Sequence, residues 1–87
     1  MTPHKVCRAL QQRLNLFFED DPSVEVGKVR RSSLVQDGFF FHVIVLGHDG
    51  DANGARRTTV HCSPGRTVVE GPDEQSIGAV LRSGALV

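Results

Sequence analysis

The residues best equipped for chemistry lie in one stretch, "HDGDANGARRTTV", His48 to Val60. Asp49, Asp51, Asn53 and Gly54 stand at the first, third, fifth and sixth places of a calcium-binding loop. The twelfth place, where such a loop needs a bidentate Glu, is Val60. Arg56 and Arg57 follow the acids and would compete with a cation. No helical pattern flanks the stretch. The competing reading makes Asn53-Gly54 the tip of a β-hairpin, since that dipeptide tolerates the positive φ angles of a type I′ turn. The hairpin accounts for residues well beyond the loop, so no metal and no cofactor is expected.

Histidines and cysteines are the next candidates. His42 and His48 are separated by roughly 20 Å on a strand rising about 3.3 Å per residue. One tetrahedral zinc ion cannot bridge them, and His61 adds at most a two-ligand site. Cys7 sits on an apolar helical stripe and Cys62 on the core side of a strand. "MTPHKVCRAL" has no continuous apolar stretch of the signal-peptide kind. Both cysteines therefore read as free, buried thiols of a cytoplasmic protein. No Gly-x-Ser-x-Gly elbow and no Gly-rich phosphate loop is present. Glu70, Asp73 and Glu74 read as a solvated helix start. The expectation is a non-enzymatic protein.

The elements that position these residues follow from periodicity. Thr2 and Pro3 suit a helix start, and Val6, Cys7, Leu10, Leu14, Phe17 and Phe18 make a broad apolar stripe. Glu19-Asp20-Asp21-Pro22 ends that helix. In "SVEVGKVRR" the alternation of Val24 and Val26 changes phase at Gly27, which predicts a bulge on a charged edge strand. "GFFFHVIVLGH" is apolar on both sides, as in a central strand. "ARRTTVHC" is the next strand. Ser63-Pro64-Gly65-Arg66 fits a type II turn into a short strand "RTVVE". Gly71-Pro72-Asp73-Glu74 opens a second helix whose core face is Ile77, Val80 and Leu81, with Gly84 as its terminator. The 87 residues form one α+β domain of two layers: helix, then a three- or four-stranded antiparallel meander, then helix. No apolar run is long enough to span a bilayer, so no membrane partner is expected.

A two-residue turn at Asn53-Gly54 would pair Asp51 with Arg56, His48 with Thr59, Leu46 with His61 and Val45 with Cys62. Directly opposed residues share a face. Val45, Val60 and Cys62 then point inward. Phe40, His42, Ile44, Leu46 and His48 point outward, beside Arg57, Thr59 and His61. Two short helices cover one sheet face and leave this one open, and an open apolar patch marks an interaction site. Phe40, His42, Ile44, Leu46, His48, Arg57 and His61 are therefore the partner-binding candidates. Ten basic residues balance ten acidic ones, which favours self-association over nucleic acid. The expected function is a protein–protein interaction module, an inhibitor or accessory protein, able to act as a homodimer.

The element order is also that of the double-stranded-RNA-binding domain. Within that class "KVCRAL", "RRTTV" and "SIGAVLRSGAL" resemble segments of HicA-type mRNA-cleaving toxins. In that family a Gly-Ser-His start to the second strand supplies the catalytic histidine. Here the strand starts Gly38-Phe39-Phe40, and the histidine is His42, two residues later. The resemblance implies an alternative, an RNA-binding or RNA-cleaving domain. His42 would be its general acid–base, and Arg30, Arg31, Arg56, Arg57 and Arg66 its phosphate contacts.

Overall fold

A computed structural model describes residues 3–34, 38–47, 53–63 and 65–83. In chain order the elements are α1 (Pro3–Phe17), β1 (Val24–Val26), β2 (Arg30–Arg31), β3 (Phe39–Val45), β4 (Arg56–Ser63), β5 (Arg66–Glu70) and α2 (Glu74–Ser83). The strands form one antiparallel sheet in the order β1-β3-β4-β5, with β2 also beside β3. The expected α+β helix–strands–helix order is thus the observed one.

In α1 the buried positions are Cys7 and Leu14, with Leu10 and Phe18 packed against the same core. Phe17, expected on the core stripe, is 63% exposed, and its neighbour Leu16 is 70% exposed. Phe18 fills the place one step further round, where its N–H still donates to Leu14 O at 2.9 Å. Asp21 then stops the chain. Its carboxylate accepts from Ser23 N–H at 3.0 Å and from Ser23 Oγ at 2.6 Å, an Asx turn that competes with further helix. These bonds, the side-chain one first, hold the Asp21 carboxyl below its ordinary range.

The phase change at Gly27 is a one-residue bulge. Val26 pairs with Val43 and Arg30 with Phe40, so Gly27, Lys28 and Val29 face only His42 and Phe41. Gly27 N–H still donates to His42 O at 2.7 Å. A Cβ there would stand 3.3 Å from that same oxygen, which favours glycine at the kink.

The hairpin register differs from the expected one. Phe39, not Val45, lies opposite Cys62, and Val45 lies opposite Arg56. The ladder has slipped by six residues, and residues 46–55 connect the strands. Gly54 does take a positive φ of 81°, so a turn forms there, but it does not close the ladder. The physical reason is local. A two-residue hairpin would force a run of Gly, Asp and Asn into the ladder, and these residues are poor strand formers. The calcium-loop acids Asp49 and Asp51 lie outside the described residues. An even slip preserves sidedness, so Phe41, Val43, Val60 and Cys62 still point inward and are buried.

Between β4 and β5, Ser63 pairs with Arg66 across two residues, and Gly65 has φ 71°, as the third place of a type II turn requires. Gly71 has φ 143°, and a Cβ there would stand 2.7 Å from Thr58 Cα. The close approach lets the fully buried Thr58 Oγ1 accept Asp73 N–H at 3.2 Å at the mouth of α2. Arg56 Nε meets Asp73 Oδ2 at 3.0 Å beside it.

Both helices lie on the inner face. The core joins Cys7 and Leu14 of α1, Phe41 and Val43 of β3, Val60 and Cys62 of β4, and Ile77 and Leu81 of α2. Cys7 and Cys62 are joined in a disulfide with Cα atoms 5.5 Å apart, which corrects the expectation of free thiols. Each was placed correctly on an inward face. That α1 lays one face directly over the other is a tertiary fact that spacing in the chain does not reveal. Arg13 Nη1 donates to Leu81 O at 3.0 Å, tying α1 to α2. Among the described residues no helix is long and apolar enough to cross a membrane.

Candidate interaction surface

With α1 and α2 on one side, the opposite face of the sheet carries no helix among the described residues. The register arranges its side chains in rows. One row is Arg30, Phe40, His61 and Val68; the next is His42, Thr59 and Glu70; the third is Glu25, Ile44 and Arg57. Phe40, His42, Ile44, Thr59, His61 and Val68 are half-buried, while Glu25, Arg30, Arg57 and Glu70 are exposed at the margins.

The centre is aromatic. The Phe40 ring lies 5.3 Å from that of His42 at 65° and 6.3 Å from that of His61 at 40°. Partial burial lowers the His42 pKa below the ordinary 6.5, and the charges of Arg57, Arg30 and His61 lower it further. His42 is therefore a neutral imidazole at pH 7 within a cationic frame. His61 Nε2 lies 3.9 Å from Glu70 Oε2. Ser32, Ser33 and Leu34 rise beside Phe40 and, with His42, Thr59 and His61, bound a hollow of about 240 Å³.

The structure thus brings five expected residues, Phe40, His42, Ile44, Arg57 and His61, onto one face. Leu46 lies one residue past the end of β3 and is half-buried, its N–H donating to Ser23 O at 2.7 Å. His48 lies outside the described residues. Arg30, Val68 and Glu70 complete the surface; Val68 and Glu70 were not expected there, and Arg30 was expected only as a phosphate contact of the RNA-binding alternative. The type II turn pairs Ser63 with Arg66, and counting onward from it would have placed Val68 and Glu70 beside His61 and Thr59. Arg30 needed the exact size of the bulge. Among the described residues no group of three or more His, Cys, Asp or Glu side chains is placed to hold a metal ion.

Comparison of the chain with protein-family models, curated proteins and solved structures finds no match. The surface must be interpreted through its own chemistry. It offers aromatic and aliphatic area at the centre, two arginines and two imidazoles around it, and one carboxylate at each end. That composition suits a partner that buries Phe40 and Ile44 and meets the arginines with anionic groups.

Proposed function

We propose that the protein is a non-enzymatic protein–protein interaction module, an inhibitor or accessory protein, whose docking site is the outward face of the sheet. The observation that supports this is the one-sided packing. Both helices cover the inner face, and among the described residues no helix or strand lies over the half-buried Phe40 and Ile44. Buried aromatic anchors ringed by polar groups are where binding energy concentrates. Phe40→Ala and Ile44→Asp, purified and shown by circular dichroism to be folded, are expected to lose the partners that the wild-type chain retains in affinity capture. Equal capture by wild type and both variants would refute the reading.

One observation favours a second reading, RNA binding. A ring trio flanked by Arg30 and Arg57 resembles a stacking platform with phosphate contacts, and His42, held neutral, is in the state a general base requires. Titration of single-stranded RNA at rising salt separates the two. Affinity that falls steeply with salt supports RNA, and no binding at low salt removes it.

A cytoplasmic location belongs to the same proposal. It now has to accommodate a buried Cys7–Cys62 bridge, which oxidising compartments favour. Alkylation trapping in intact cells, with the thiol state read by mass spectrometry, decides between them.

A further inference from the structure

The two edges of the sheet are unlike. The β1–β2 edge is broken by the bulge at Gly27–Val29 and carries Lys28, Arg30 and Arg31, the usual devices against edge pairing. The other edge, β5, is five continuous residues, "RTVVE", with no bulge, proline or lysine. Among the described residues no strand pairs with its outer side.

The hydrogen-bond alternation shows which backbone groups that edge offers. Gly27 N–H bonds His42 O, so even residues of β3 face β1 and odd residues face β4. Carried through the registers, Arg66, Val68 and Glu70 direct their backbone groups to β4. Thr67 and Val69 direct theirs outward, off the sheet.

The edge is self-complementary. In an antiparallel pairing of β5 with β5 of a second copy about a two-fold through Val68, Thr67 stands opposite Val69 of the second copy. Both offer their outward N–H and C=O, as a hydrogen-bonded pair requires. In the same register Arg66 stands opposite Glu70 of the second copy, and Glu70 opposite Arg66, both on the outward face. The helix layer repeats the pattern. Glu74, Gly78 and Arg82 lie along the side of α2 that borders a groove with Thr67 and Val69. Reversed about the same axis, Glu74 would meet Arg82 of the second copy, whose guanidinium lies over its own Gly78.

We infer that the chain forms a closed homodimer by antiparallel pairing of β5 edges. This goes beyond the docking role of the outward face, which stays free. The dimer joins the two faces into one sheet, with the Arg30–Phe40–His61–Val68 row running on into its copy.

Sedimentation velocity over a range of concentrations tests it, with thermal unfolding as the folding control. Wild type is expected to be a concentration-dependent dimer. Arg66→Glu and Glu70→Arg each place like charges across both symmetry-related contacts and should weaken it at least about tenfold. The double swap restores the pairs and should recover most of the affinity. Val69→Pro removes an outward N–H without touching the β4 ladder and should leave a folded monomer. A wild type that stays monomeric, a dimer that survives Val69→Pro, or a double swap no better than the singles would overturn the inference. So would a dimer broken by Ile44→Asp on the outward face instead.

Discussion

Single side chains on the outward face have measurable signatures. The pKa of His42 is lowered by partial burial and by Arg57, Arg30 and His61. Folding therefore favours its neutral form. That contribution is complete above the unfolded value near 6.5 and is lost as pH falls through the folded value. Proton NMR should show His42 titrating below 6.5, and Arg57→Gln should raise its midpoint. An unmoved midpoint would contradict the cationic frame. Two glycines make a matched pair of tests. Gly71→Ala forces a Cβ to within 2.7 Å of the Thr58 backbone and should cost about 3 kcal/mol in denaturant unfolding. Gly54→Ala meets nothing within 4 Å and should cost only the positive-φ penalty, about 1 kcal/mol. Much of this face was legible in the chain, because alternation through "FFFHVIV" sorts side chains by parity alone. His42's neighbours were not. Arg30 reaches it only through the bulge, which local pattern signals without sizing.

Elements were easier to read than their alignment. Apart from Phe17, the helix stripes, the phase break at Gly27, "RTVVE" and the turn at Gly65 appear where periodicity and turn chemistry put them. The β3–β4 register does not. Any even slip satisfies the same inside–outside pattern, so the apolar alternation could not exclude a displacement of six, and the Asn53-Gly54 signal selected the wrong member of the series. Phe17 misled in a similar way. Two adjacent phenylalanines end α1, and only the packed structure shows which one meets the core. The Cys7–Cys62 bridge links α1 to β4 across 55 positions of sequence. Closing a loop of that size stabilises by about 4 kcal/mol. Cys7→Ser with Cys62→Ser should lower the denaturation midpoint accordingly, and α1 amides should lose hydrogen-exchange protection before those of β3.

A chain of this length buries a modest core, with net stability on the order of 5 to 10 kcal/mol. Core and surface substitutions should therefore separate cleanly. Phe41→Ala removes the largest fully buried side chain among the described residues and should cost about 3 to 5 kcal/mol, roughly half of that stability. Phe40→Ala, one residue away on the outward face, should cost about 1 kcal/mol or less and act on binding. Unfolding curves in which the two variants behave alike would mean that the outward face is covered after all.

The bulge at Gly27 also governs stoichiometry. A sheet with two competent edges has no natural end. Each added copy exposes a fresh edge, and growth continues into a filament. A sheet with one competent edge stops at two. By spoiling the β1–β2 edge, the extra residue acts as a chain terminator for assembly. Deleting Lys28 would remove the surplus residue while keeping Val29 inward and Arg30 outward. On the dimer inferred above, that deletion should replace a single sedimenting species with a ladder of larger ones.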